Sequence, residues 1–223
     1  MKVKPKKTLT VLCLLALLCT AVAARIYYVN EHAPSTPVKT YNLNETVALE
    51  GAFAEYAYEN TDGYLVRATK AERMSINEYI NLYSVDQSIL DGYLEEQHNY
   101  TDRDLKTLVV VDLEIQNDKP TDGDRGYLDS IGWAIKSSSS PELWIRTESA
   151  LLESSIPQAG GAFQLSVKPG TTYTVHIPFS GVAQFVPFPA PNHIVSSPEL
   201  TPGRYSLVLT KGKASNVIDL GTI

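Results

Sequence analysis

From residue 46 onward, apolar and polar side chains alternate in short runs, the two-residue period of strands that bury one face. Leu108–Gln116 is the clearest run: Val109, Val111, Leu113 and Ile115 share one face, and Asp112, Glu114 and Gln116 share the other. The alternation returns at Ile131, Trp133 and Ile135, and again at Phe163, Leu165 and Val167. It continues at Tyr173, Val175, Ile177 and Phe179, then at Tyr205, Leu207 and Leu209. Thr46–Leu49 and Tyr64–Thr69 read as early strands, and Val217, Ile218 and Leu220 as a closing one. About seven or eight strands separated by turn signals predict a sandwich of antiparallel sheets.

Turn chemistry agrees. Lys168-Pro169-Gly170-Thr171 and Thr201-Pro202-Gly203-Arg204 place Pro and Gly where a type II turn wants them. Tyr205 follows the second turn at the start of a late strand, the position of a tyrosine corner. One helix interrupts the strands. Ser75-Ile76-Asn77-Glu78 is a capping box, and Ile76, Tyr79, Ile80 and Tyr83 follow at helical spacing. Residues 86–104 read as an excursion between early and middle strands.

The N-terminus has a different pattern. Lys2, Lys4, Lys6 and Lys7 precede Leu9–Ala24, which carries no charge, and apolar character resumes after Arg25 through Val29. Two readings follow. The stretch is an uncleaved single-pass anchor, with lysines inside and the body outside, Arg25 snorkelling and Tyr27 and Tyr28 at the interface. Alternatively Ala21-Val22-Ala23 is a cleavage pattern, and the product is secreted after a cut behind Ala23. Both readings export the body. The expected organisation is a signal-anchor or signal peptide at 1–29, a Pro-containing spacer at 30–45 and one β domain at 46–223.

Charge sharpens this picture. Four of the 19 basic residues are the lysines ahead of the apolar run, so the remainder carries 15 against 25 acidic, a net of about −10. An acidic body repels phosphate backbones, which argues against nucleic acid as a partner. Cys13 and Cys19 both fall in the apolar run, so the body holds neither disulfides nor cysteine-ligated zinc.

The leader ending Arg25-Ile26-Tyr27-Tyr28-Val29-Asn30, the Tyr41-Asn42-Leu43-Asn44-Glu45 segment, the strand-then-helix at Ser75–Tyr83 and the Leu200–Leu209 strand together resemble one family. It comprises membrane-anchored proteins of Gram-positive bacteria known only as a domain of unknown function. The resemblance implies a mainly β, immunoglobulin-like (telokin-like) sandwich with one short helix and an N-terminal anchor helix. It implies no activity, no catalytic residues and no cofactor. The alanine-rich stretch Ala21–Ala24 departs from the family's anchor.

Catalytic signatures are missing: there is no G-x-S-x-G, no H-E-x-x-H and no Gly-rich phosphate loop. His32, His98, His176 and His193 are scattered and read as solvated single histidines rather than a metal site. Asp118, Asp122, Asp124 and Asp129 could gather a calcium ion, but their spacing is not that of an EF-hand, and a solvated turn is the plainer reading. Val182–Pro198 concentrates Phe185 and Phe188 among prolines, with His193 beside them. These three residues are the candidate partner contacts, and the plainer alternative is that the rings cap the sandwich. The expected function is a non-catalytic, membrane-tethered binding or interaction module of unknown ligand, contacting a protein or another envelope component. The alternative is a carbohydrate-binding module for an envelope glycan.

Overall fold

β4 (Thr107–Asn117), where the alternation is strongest, is a central strand in the computed structural model. The structure describes residues 5–32, 36–85, 107–120, 126–156, 164–180 and 200–223. Two units emerge, Met1–Ser35 and Thr36–Ile223.

The first unit is helix α1, Pro5–His32. It contains the apolar run, beginning four residues before Leu9 and ending three residues past Val29. The second unit is mainly β. Nine strands form one sheet in the order β1 (Val38–Asn42), β11 (Ser215–Thr222), β10 (Arg204–Val208), β6 (Ala134–Ser137), β7 (Ser140–Thr147), β9 (Thr171–Ser180), β4, β3 (Tyr64–Ser75), β2 (Thr46–Ala48). β5 (Leu128–Asp129) and β8 (Gln164–Leu165) make a separate short pair.

The sheet is nearly closed. β1 and β2 are its opposite edges, yet only residues 43–45 join them, and the chain from Asn42 to Thr46 reaches at most about 14 Å. Both edges must therefore meet, and Asn44 N donates to Ala68 O of β3 at 2.8 Å across the join. At the other fold of the sheet, β7 and β9 share only the pairs Arg146–Ser180 and Thr147–Phe179. The expected pair of separate antiparallel sheets is therefore one continuous sheet bent between β7 and β9, and β1 runs parallel to β11.

The two halves enclose a single core. Val47, Val66, Val111, Leu113 and Ile177 from one half belong to the same buried cluster as Ile135, Ile145, Leu207 and Ile218 from the other. A second cluster lies on the outer face of β4. Leu108 and Val110 point there, against Met74, Tyr79 and Leu151. This explains why residues 108–111 are apolar without interruption: that end of β4 is covered on both faces. The cover comes from α2 (Ile76–Tyr83) and α3 (Ser149–Ser155). The capping box of α2 is complete, with Glu78 N donating to Ser75 Oγ at 3.2 Å and Ser75 N donating to Glu78 Oε2 at 2.7 Å.

Tyr205 makes the corner that its position predicts, donating its hydroxyl to Thr201 O at 2.7 Å from a buried ring. Other expectations require correction. Residues 38–42, read as spacer, are β1, because pairing with β11 satisfies their backbone. Ile131 does not share a face with Trp133. Residues 130–132 form a 3-10 turn, capped by the Asp129 side chain, which leaves Ile131 43% exposed while Trp133 is buried. Tyr173, at the open end of β9, is 42% exposed rather than core. Residues 86–104, Phe163 and Val182–Pro198 lie outside the described residues.

Candidate functional site

The loop between β2 and β3 shapes the first candidate site. Phe53 bridges to Gly212: its N–H donates to Gly212 O at 3.3 Å, and its carbonyl accepts from Lys211 N at 2.8 Å and Gly212 N at 3.1 Å. The ring lies directly on Gly212, where an added Cβ would stand 2.0 Å from Phe53 Cζ. Thr61 Oγ1 donates to Ala52 O at 2.7 Å, tying the loop's two arms together.

Glu59 organises the tip. Its buried carboxylate accepts from Glu55 N at 2.7 Å and Tyr56 N at 2.8 Å on one oxygen. The other oxygen accepts from Ala54 N and Asp129 N, both at 3.3 Å. Four backbone donors that a strand ladder would otherwise satisfy converge on one anion, which makes a long loop a fixed structure.

What that loop presents is aromatic. Tyr56 is 44% exposed and Tyr58 68% exposed, with ring centroids 5.0 Å apart and planes 10° from parallel. Tyr127 adds a third ring, 6.5 Å from Tyr58 and tilted by 53°. The surroundings of Tyr58 and Tyr127 are acidic. Desolvation, followed by repulsion from Tyr56, Asp129 and Glu59, holds the Tyr58 hydroxyl above its usual pKa. The same carboxylates act on Tyr127, again after desolvation. Asp129 itself is raised, first by burial and then by Glu59 and Glu55, against the lowering bond from Ile131 N. Basic groups stand at its margin: a Cβ added to Gly126, next to Tyr127, would lie 2.8 Å from Lys119 Nζ. Lys211 bonds Glu55 at 3.4 Å, and burial followed by Arg146 lowers its pKa. Trp144 carries the Lys136 ammonium 3.9 Å above its ring.

The second candidate is an Asp–His pair on the outer face of the sheet. Asp112 and His176 face each other across β4 and β9, and Asp112 Oδ1 lies 2.6 Å from His176 Nδ1. Tyr83 of α2 stacks on the imidazole, centroids 4.2 Å apart. Burial, followed by the charge of Asp112, pushes the Tyr83 hydroxyl up to about 12. Tyr79, fully buried beside it, donates to His176 O at 2.9 Å. His176 is therefore not a solvated single histidine. Strand register gives it a carboxylate and the helix gives it a ring. Tyr83 also donates its hydroxyl to Asp112 Oδ1 at 3.4 Å, so the stack and this bond fasten α2 to the sheet.

Phe185, Phe188 and His193 lie outside the described residues, as do His98, Asp122 and Asp124. Asp118 accepts from Gln116 Nε2 at 2.5 Å, while Asp129 is buried as the cap of the 3-10 turn, so these two carboxylates serve different local structures. Among the described residues no three His, Cys, Asp or Glu side chains gather to hold a metal ion. The tyrosine loop escaped the sequence reading. Its signal was the segment Glu55-Tyr56-Ala57-Tyr58-Glu59, two tyrosines at strand spacing flanked by acids outside any strand.

A family model described as a domain of unknown function (DUF5028) matches residues 38–212, and the chain belongs to that family. No curated protein and no solved structure matches.

Proposed function

We propose that this DUF5028 protein is a non-catalytic binding module held at the outer face of a bacterial membrane by α1. In this reading the β domain is exported and immunoglobulin-like, in a Gram-positive envelope. The carrying observation is the stretch Cys13–His32: twenty residues at mean hydropathy 1.6, none of the window covered by protein. Leu14, Leu15, Leu17 and Leu18 are all more than half exposed, and burying each in lipid gains roughly 1.5–3 kcal/mol. Lys2, Lys4, Lys6 and Lys7 at one end orient the span with the β unit outside. The facing halves around one core, the Tyr205 corner and the buried Trp133 beside β6 support the immunoglobulin-like reading.

The binding surface is assigned to the tyrosine loop, because a fixed loop carrying exposed rings loses little entropy on contact. Phe185, Phe188 and His193 remain a proposed second contact. A glycan is the alternative ligand, favoured by exposed tyrosines but not by their arrangement, since Tyr56 and Tyr58 stack on each other instead of lying side by side.

Three measurements test the reading. Alkaline phosphatase fused after Ile223 is expected to be active in intact cells, and inactivity would refute export. The membrane-bound protein is expected to retain its N-terminus, whereas a product beginning at Ala24 would replace anchoring with secretion. Photo-crosslinkers placed separately at Tyr58 and Phe188 on intact cells are expected to capture an envelope component. Capture from neither position would refute the binding module.

A further inference from the structure

Deepening the binding-module reading, on which it rests, we infer that the Tyr56–Tyr58–Tyr127 surface binds an organic cation, an alkylated or quaternary ammonium group.

Three observations point the same way. The first is the ring faces. An aromatic face carries the negative lobe of the ring quadrupole, and a cation within about 6 Å of its centroid is attracted to it. Tyr58 leaves most of its surface in solvent, and Tyr127, tilted by 53°, brings a second ring to the same spot. The second is charge. The ionisable groups acting on Tyr58 and Tyr127 are Tyr56, Glu59 and Asp129, joined for Tyr127 by Tyr58. Two ammonium groups stand at the margin, Lys119 Nζ beside Gly126 and Lys211 Nζ on Glu55, against the three carboxylates Glu55, Glu59 and Asp129, so the local balance stays acidic. Glu59 and Asp129 are buried below the rings, so their field reaches the surface through protein rather than through screening water. The third is pre-organisation. The backbone donors gathered by Glu59 and the Phe53–Gly212 bridge fix the loop before any ligand arrives.

A neutral sugar gains from flat rings but nothing from the buried carboxylates. An anion or an acidic peptide is repelled by them. A methylated ammonium satisfies both features, because its weakly hydrated methyl groups meet the rings and its charge meets the field. The acidic body, net about −10 once the four N-terminal lysines are set aside, adds long-range attraction of the same sign.

The test uses the full chain in a polyoxyethylene detergent, which carries neither a sugar nor a quaternary ammonium headgroup. Tyrosine rings are labelled, and tetramethylammonium is titrated against neutral tert-butanol of similar shape while ring NMR shifts are followed. Saturable shifts are expected for tetramethylammonium, with tert-butanol at least about 5-fold weaker. Tyr58→Leu is expected to weaken the cation roughly 5- to 30-fold, whereas Tyr58→Phe, which keeps the face, stays within about 3-fold of wild type. Asp129→Asn is expected to weaken it by about 2- to 5-fold, as is raising the salt.

Equal binding of tert-butanol would overturn the inference, as would an unchanged affinity in Tyr58→Leu with a wild-type melting curve. So would chito-oligosaccharide shifting these rings where tetramethylammonium does not. Crosslinking from Tyr58 on cells combined with no tetramethylammonium response overturns the cation alone and leaves the binding module standing.

Discussion

Replacing Glu59 tests the idea that one carboxylate builds the tyrosine loop. In Glu59→Gln the side-chain oxygen is expected to keep the short bonds from Glu55 N and Tyr56 N, at 2.7 and 2.8 Å. The new amide NH2 then faces Ala54 N and Asp129 N, which now donate at 3.3 Å, and donor meets donor. Two weak bonds are lost and two poorly hydrated N–H groups are stranded, a cost of about 1 kcal/mol each or about 2 kcal/mol in all. Glu59→Ala removes all four bonds and leaves a void, for about 4 kcal/mol. In a domain of this size each kcal/mol lowers the melting temperature by about 2–4 °C, so the expected drops are about 4–8 °C for Gln and about twice that for Ala. Circular dichroism melts of the full chain in detergent provide the assay, with ring NMR of Tyr56 and Tyr58 reporting whether the stack survives. A Gln variant that melts within about 1 °C of wild type with its stack intact would show that the loop holds itself and that the carboxylate is incidental.

Two further variants probe the frame around that loop. Tyr205→Phe deletes only the hydroxyl, which bonds Thr201 O and also meets the Ser137 side chain, so a loss of about 1 kcal/mol is expected in urea or thermal unfolding. An unchanged midpoint would remove the corner from the account of stability. Asp219 is held below the usual carboxylate pKa, first by Arg204 and then by Gly221 N. A depressed carboxyl contributes stability that is present above its unfolded pKa and lost as pH falls through the lower folded value. Asp219→Asn is therefore expected to cost under about 1 kcal/mol at pH 7, where the pair is partly exposed, and progressively less below about pH 4. A cost that stays constant down to pH 2 would place its origin in packing rather than charge.

Much of the strand set was legible because alternation is a local property. Val109, Val111, Leu113 and Ile115 had to share a face wherever β4 ended up, and the Ser75–Glu78 cap and the turn before Tyr205 act within a few residues. The apolar helix was legible for the same reason, since a predominantly apolar run of this length needs no partner to declare itself. Which strands became neighbours was not written locally. The parallel pairing of β1 with β11 joins residues more than 170 positions apart, and only closure of the sheet brings them together. The same holds for both candidate sites. Asp112 and His176 are 64 positions apart and meet through cross-strand register, while Tyr58 and Tyr127 meet because Glu59 reaches Asp129 N from another part of the chain. Periodicity reports how a residue faces its own element. The company it keeps is set by long-range pairing, whose free energy comes from burying the whole core at once.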